Sequence, residues 1–209
     1  MAKRRMTGPE RREQLIGVAR DVFAARGYEA ATIEEIAERA HVSKPVVYEH
    51  FGGKEGIFAV IVDREVAELS ARMAAAIATD EPRRAAEQAA LAFLGYIEEC
   101  EAGFRVLVHD GPVGMASGNL ASVLSDVASQ IEELLLRQFK DRGFDKRTVP
   151  MYARMLVGAV ALVGEWWLEA GKPSRQIVAA HVVNLLWNGL RGLEDKPMLR
   201  AGVDVSTPS

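Results

Sequence analysis

The sequence predicts an all-α protein, with an N-terminal three-helix head and a C-terminal helical body. Apolar residues recur at helical spacing through most of the 209 residues and make up 49% of the chain, which is enough for a packed core. Capping residues precede the first helical stretches. No stretch alternates apolar and polar residues between turns as strands do, so we expect helices throughout.

The first predicted helix begins after Thr7. Thr7 and Glu10 have the spacing of a capping box, and Pro9 falls in the first turn, where its missing N–H costs nothing. Gly27 is predicted to end this helix as a C-cap.

The next two predicted helices are short and joined by a tight turn. Thr32 begins a second capping box, and the apolar pattern breaks at His41 after about two turns. Ser43 is a new N-cap, Pro45 lies in the first turn after it, and Gly52 ends the third helix. This arrangement is typical of a helix-turn-helix motif, whose second helix enters the major groove of DNA.

The segment IAERAHVSKPVVYEHFGGKEGIF, preceded by RREQLIGVARDVFAARGYEAAT, resembles the N-terminal signature of TetR-family transcriptional regulators. Three positions depart from the family pattern. His41 stands where Gly is common, so we expect a positive φ there. Pro45-Val46 replaces a commoner small and hydroxylated pair, and Gly53 replaces a polar cap.

The resemblance implies a division of the chain into four parts. We expect a basic arm at 1–9, a DNA-binding domain at 10–70 with the helix-turn-helix at about 33–52, a ligand-binding and dimerisation domain at 71–194, and a polar tail at 195–209. The net charge is only −3, but five basic residues and one acidic residue stand among the first twelve. Basic residues there would neutralise phosphates without reading sequence. The arm residues assigned to DNA are Lys3, Arg4 and Arg5.

The resemblance also assigns DNA contacts to the head. The residues that lead the third helix should face base edges, with Lys44 donating to guanine and Pro45 and Val46 touching a thymine methyl. Tyr48 and Lys54 should reach phosphates, Lys54 together with the free amides of the fourth helix. The full set is Thr32, Ser43, Lys44, Pro45, Val46, Tyr48, His50 and Lys54.

The body is predicted to contain helices only. A fourth helix from Lys54 should run into it and end near Thr79. The remaining helices are predicted at 85–101, 104–109, 120–142, 148–170 and 174–194.

The last helix pair predicts a homodimer. Met155 to Gly164 contains no polar side chain, so that helix should be covered on all sides. Packed against its own copy, the hairpin would form a four-helix bundle, as TetR-family proteins are said to do, and two heads about one DNA turn apart would read a palindrome. A purely intramolecular core is the alternative. The predicted interface residues are Gly158, Ala161, Val182, Leu185 and Leu186.

TetR relatives commonly hold a small molecule among the body helices, and an aromatic lining would favour a lipophilic effector. Core packing is the alternative for each aromatic residue. The candidate effector contacts are Phe93, Tyr96, Phe104, His109, Met155, Trp166 and Trp167.

The sequence contains no pattern typical of an enzyme or metal site. The four histidines form no zinc-ligand spacing, and no nucleophile elbow, phosphate loop or dinucleotide fingerprint is present. We therefore expect no cofactor and no catalytic residue. The single cysteine, the absence of a bilayer-length apolar run and the lack of an apolar leader favour a cytoplasmic protein.

We interpret the chain as a ligand-responsive repressor that binds a palindromic operator as a dimer. An activator or dual regulator of the same fold is the first alternative. A helical protein-binding module without DNA affinity is the second.

Overall fold

The computed structural model describes residues 6–79, 81–108, 119–194 and residue 197. The all-α prediction is confirmed, since every regular element in these ranges is helical. A 3-10 turn at Lys146–Thr148 precedes α8. The helices are α1 (Gly8–Ala30), α2 (Ile33–Arg39), α3 (Lys44–Phe51), α4 (Lys54–Ile77), α5 (Pro82–Glu99), α6 (Glu101–Val108), α7 (Asn119–Arg142), α8 (Val149–Ala170) and α9 (Arg175–Arg191).

The chain divides into two compact units. Unit 1 comprises the described residues of Met1–Met73 and Gly95–Val123, and unit 2 those of Ala74–Leu94 and Leu124–Ser209. Within unit 1, α6 packs against α1. Val106 of α6 belongs to the same apolar core as the buried residues of α1 to α4.

The core of unit 1 is built around three aromatic rings. The Phe23 and Phe58 ring centroids are 5.0 Å apart, and those of Tyr28 and Phe58 are 4.8 Å apart, both edge to face. Such pairs add to the stabilisation that burial itself provides. Residues predicted to form this core, Phe23, Ile36 and Val47, are buried. The predicted fourth member, Phe51, is half-buried at the core's edge.

The two predicted capping boxes form to different extents. Thr7 and Glu10 form the complete capping box, with the Thr7 amide donating to Glu10 Oε2 at 2.8 Å. At α2 only half of the predicted box forms, because the Glu35 amide donates to Thr32 Oγ1 at 3.1 Å while the Glu35 carboxylate instead pairs with Arg39 at 2.7 Å. Gly27 has φ 74°, but it kinks α1 and the helix ends later, at Ala30.

Unit 2 packs one face of α8 and leaves the other open. Ala153, Val157 and Ala161 are buried, whereas Met155 and Leu162 on the opposite face are 55% and 67% exposed. The expectation that this helix is covered on all sides is therefore not met within the single chain.

The ends of the last helix pair are fixed by hydrogen bonds to backbone carbonyls. Trp167 Nε1 donates to the Pro173 carbonyl at 2.7 Å, across the α8–α9 connection. The Arg142 guanidinium donates to the carbonyls of Leu190 and Arg191 at 2.9 and 3.1 Å, at the C-terminal end of α9, where a cation is favourable. No helix within the described ranges has the length and apolar character that crossing a bilayer requires.

Candidate nucleic-acid interface

The turn between α2 and α3 has the geometry that a helix-turn-helix requires. His41 has φ 55°, as predicted, which is the left-handed region that non-glycine residues seldom adopt. The Val42 amide donates to the Ala37 carbonyl at 2.9 Å, and the His41 amide to the Glu38 carbonyl at 3.0 Å. These bonds satisfy the end of α2 and redirect the chain within two residues.

The helix α3 begins without a side-chain cap. Ser43 occupies the N-cap position with φ −81° and ψ 152°, but its side chain makes no capping hydrogen bond to the described amides of α3. Pro45 lies in the first turn, as predicted, and Gly52 ends the helix with φ 73°. The Ser43 hydroxyl is therefore not committed to the cap and is free to face a ligand.

Burial divides α3 into an inner and an outer face. Val47 is fully buried and fixes the helix to the core, whereas Tyr48, one residue later, is 54% exposed. Val46, predicted to touch a thymine methyl, is half-buried and packs against the core, so only part of it remains for such a contact. The other predicted α3 contacts are exposed at Ser43, Lys44 and Pro45, and half-buried at His50.

Lys44 already has an anionic partner in the free protein. Its ammonium forms an ion pair with the Glu34 carboxylate in the first turn of α2. The hydrogen bond from Lys44 holds the pKa of the Glu34 carboxyl below its ordinary value. A base or phosphate that takes Lys44 must therefore compete with Glu34.

The Lys54 ammonium contacts the C-terminal end of α1 in the free protein. Its Nζ donates to the carbonyl oxygens of Tyr28, Glu29 and Ala31 at 2.8, 3.2 and 3.2 Å. It also lies 4.3 Å from the Tyr28 ring centroid. An ammonium has three N–H donors, so the geometry gives all three a partner inside the protein. No sequence signal pointed to this arrangement, because the carbonyls come from a distant helix end.

The other predicted DNA contacts lie around this frame or outside the described residues. Thr32 is exposed at the start of α2, where its hydroxyl accepts the Glu35 amide. Arg12 of α1, which was not among the predicted DNA contacts, has its guanidinium 4.7 Å from the Phe51 ring centroid. The arm residues Lys3, Arg4 and Arg5 lie outside the described residues.

The candidate effector residues differ in their surroundings. In unit 1, Tyr96 and Phe104 are fully buried with ring centroids 6.4 Å apart. In unit 2, Phe93 and Trp167 are buried. The remaining two described candidates, Met155 and Trp166, are each 55% exposed, so within the single chain they do not line an enclosed cavity. His109 lies outside the described residues.

A cleft in unit 2, between α5 and α9, was not predicted. Its volume is about 290 Å³, and its lining combines small apolar residues with a charged pair, Arg83 and Glu87, whose side chains are 3.0 Å apart. Its small residues have no distinctive sequence pattern, which explains why the sequence did not indicate it. The lining residues are Arg83, Glu87, Leu91, Gln176, Ala179, Ala180, Val183 and Asn184.

The predicted dimer residues range from buried to largely exposed in the single chain. Ala161 is buried within unit 2, Gly158, Val182 and Leu186 are half-buried, and Leu185 is 72% exposed. Among the described residues, no group of three His, Cys, Asp or Glu side chains is arranged to hold a metal ion.

Family models match two parts of the chain. Residues 15–61 match the model described as bacterial regulatory proteins of the tetR family, and residues 82–189 match the tetracyclin repressor-like C-terminal domain. The first match contains α2, the turn and α3, and the second contains most of the helices from α5 to α9.

Individual relatives agree with these models. The HTH-type transcriptional activator FasR of Mycolicibacterium smegmatis is 30% identical over 190 residues, which are 89% of this chain and 85% of FasR. The HTH-type transcriptional repressor ComR of Escherichia coli is 25% identical over 134 residues, which are 61% of this chain and 62% of ComR. The crystal structure of a TetR-like regulator from Rhodococcus sp. RHA1 matches with a TM-score of 0.76 and 26% identity, covering 90% of this chain and 100% of that one.

Proposed function

Because the chain belongs to the TetR family of bacterial transcriptional regulators, we propose that it is a homodimeric repressor that binds a palindromic operator and is released by a small lipophilic effector. The family is one of DNA-binding regulators, so the chain is not an enzyme. Its partners in this proposal are double-stranded DNA, a second copy of itself and the effector.

The observation that best supports the proposal is the outer face of α3. Ser43, Lys44 and Pro45 lead the helix and are exposed, while the buried Val47 fixes it to the core. The eight-residue helix is about 12 Å long, and the major groove, about 12 Å wide, admits one helix. A hydroxyl and an ammonium at the leading end suit base edges and adjacent phosphates.

A homodimer is supported by the uncovered apolar face of α8 and α9. Met155, Leu162 and Trp166 are spaced by seven and four residues, so they lie on one face of α8, and each is more than half exposed. Leu185 on α9 is 72% exposed. Several large apolar side chains exposed together along one helix face usually mark an interface. A second copy with the same surface would cover it through a two-fold axis.

The effector proposal is based on the buried aromatic residues and on the small molecules that TetR relatives commonly bind among their body helices. Phe93 and Trp167 in unit 2 are buried aromatic side chains, which suit an apolar molecule. An effector that binds the DNA-free dimer more tightly lowers operator affinity by the same coupling factor. Operator release across a panel of acyl chains and aromatic compounds tests this part by itself.

An activator is the second candidate, and one specific comparison favours it. FasR, which is named an activator, matches this chain over most of its length, whereas the repressor ComR matches a smaller share at lower identity. The two candidates share the fold and the DNA-binding mode. In vitro transcription from a promoter beside the operator separates them, because a repressor lowers and an activator raises transcript yield in the absence of effector.

The experiment that tests DNA binding is selection of duplexes from a random pool with the purified full chain. We expect enrichment of an inverted repeat whose half-sites are about one helical turn apart or slightly more. A chain in which Ser43 and Lys44 are both changed to Ala is the control and should enrich no repeat. Absence of any enriched sequence with the unaltered chain would overturn the proposal.

A further inference from the structure

The C-terminal turn of α1 lacks a cation of its own and receives one from α4. The last carbonyls of a helix have no partner within the helix and lie at its negative end. The last turn of α1 contains no basic residue. Lys54 Nζ donates to the carbonyls of Tyr28, Glu29 and Ala31 there, at 2.8 to 3.2 Å. We call this contact set the Lys54 anchor.

The anchor also contacts the aromatic core of unit 1. The Lys54 ammonium lies 4.3 Å from the Tyr28 ring centroid, where cation–π attraction adds to the hydrogen bonds. The Tyr28 ring is buried and stacks 6.0 Å from the Phe23 ring. Lys54 is therefore held against the aromatic core of unit 1.

The anchor restrains the connection between α3 and α4, called the α3–α4 joint, where two glycines leave the backbone free to adopt many conformations. Lys54 is the first residue of α4 and follows Gly52 and Gly53, whose φ angles are 73° and 142°. Glycine restricts these angles least of all residues, so the pair by itself holds α3 at no particular angle. Because Lys54 is bound to α1, a fixed point lies three residues after Phe51, the last residue of α3.

A close contact between Gly56 and Phe51 also restrains the α3–α4 joint. A Cβ added at Gly56 would lie closer than 3.0 Å to the Phe51 carbonyl oxygen, a backbone atom. The first turn of α4 thus touches the last residue of α3, and only glycine permits that approach. Together, the Lys54 anchor and the Gly56–Phe51 contact determine the position of α3 relative to α1.

We propose that Lys54 is a positioning residue that sets the angle of the recognition helix by anchoring α4 to the end of α1, and that it is not a phosphate ligand. This inference rests on the proposed DNA binding of α3. It replaces the sequence-based expectation that Lys54 neutralises a phosphate. Lys44, which is exposed at the leading end of α3, is the matched cation for comparison.

The test compares Lys54→Met, Lys54→Arg and Lys44→Met for affinity to the selected duplex over a series of salt concentrations, well below each melting temperature. We expect Lys54→Met to lose about tenfold in affinity, the scale of one charged hydrogen bond. Its salt slope should equal that of the unaltered chain, and Lys54→Arg should recover part of the affinity. Lys44→Met should make the slope shallower by about one.

Two results would overturn the inference. A Lys54→Met slope shallower by about one would make Lys54 a phosphate ligand. Unchanged affinity with a lowered melting temperature would make the anchor purely structural. If the unaltered chain selects no duplex, the proposed function fails separately, and amide hydrogen exchange then tests the anchor without DNA. In that experiment, unchanged protection of the α3 amides from exchange in Lys54→Met would show that the anchor does not position α3.

Discussion

The hydroxyl of Tyr96 donates a hydrogen bond of 2.7 Å to the Glu65 carboxylate inside unit 1. Glu65 is only 7% exposed, and Arg20 Nη1 approaches its other oxygen at 3.4 Å. Burial, and secondarily the hydrogen bond to Glu65, raise the pKa of the Tyr96 phenol, so it stays protonated and remains a donor. The pair joins α4 to α5 within unit 1 by a polar contact, where a missing partner would be costly.

Tyr96→Phe removes this donor without changing the shape of the ring. The Glu65 carboxylate then loses its shortest hydrogen bond in a buried site, so we expect a loss of about 1–3 kcal/mol in the free energy of unfolding. Denaturant melts of Tyr96→Phe, Glu65→Gln and the double variant measure the coupling. Additive losses in the double variant would show that the two side chains do not interact.

The Glu65 carboxylate occupies the space beside Gly103 that a larger residue's side chain would fill. A Cβ built at Gly103 would lie closer than 3.0 Å to the Glu65 carboxylate. Gly103→Ala should therefore cost about 1–3 kcal/mol by overpacking. Gly17 provides the control, because a Cβ there meets no described atom within 4 Å, so Gly17→Ala should be neutral or mildly stabilising. Thermal melts of both variants check this, and equal melting temperatures would contradict it.

The cost at Gly103 should also depend on Glu65. In a Glu65→Ala background the colliding carboxylate is gone, so Gly103→Ala should cost less than in the unaltered chain. If Gly103→Ala destabilises the Glu65→Ala chain as much as the unaltered chain, the destabilisation arises from the backbone of α6 and not from a collision with Glu65.

Features determined by neighbouring residues could be predicted from the sequence. The Thr7–Glu10 box, the positive φ of His41 and the end of α3 at Gly52 each depend on residues within one or two turns. The helix-turn-helix and the exposed leading end of α3 follow from them.

Features determined by distant partners could not be predicted. The carbonyls that bind Lys54 come from residues 23 to 26 positions earlier, so the sequence showed only a lysine at a helix start. The Glu35 carboxylate pairs with Arg39 and leaves the Thr32 box incomplete. Likewise α6 joins unit 1 because Val106 finds its core there.

Glu34→Gln should tighten DNA binding. In the free protein the Glu34 carboxylate holds Lys44, and it also brings a negative charge to the surface that faces DNA in our proposal. The ion pair is exposed to solvent and therefore weak, so the expected gain in affinity is at most about fivefold. Fluorescence anisotropy with the selected duplex measures it. Glu38→Gln, at an exposed residue of the same helix, is the control and should change affinity less. Weaker binding by Glu34→Gln would show that Glu34 orients Lys44 productively.

Leu185→Asp should shift the chain from dimer to monomer. Leu185 is 72% exposed in the single chain, so the change should cost little in the fold of the monomer, while a charge buried in an interface is strongly unfavourable. Analytical ultracentrifugation measures the assembly state. Leu136→Asp, at an exposed leucine of α7, is the control and should leave the dimer intact. A Leu185→Asp chain that stays dimeric would move the interface away from α9.

Tyr48 should strengthen DNA binding without specifying sequence. Its ring is 54% exposed and lies beside Gly53, where an added Cβ would be 3.6 Å from Tyr48 Cε1, so the ring rests on the joint that ends α3. A phenol donating to a phosphate is neutral and releases few counterions, so Tyr48→Phe should weaken binding to all duplexes alike and leave the salt slope unchanged. The loss should be about fivefold, the effect of one neutral hydrogen bond. Affinities for the selected duplex and for two scrambled duplexes, each over a salt series, measure both quantities. If the loss is confined to the selected duplex, Tyr48 reads bases, and the contact belongs in the groove and not on the backbone.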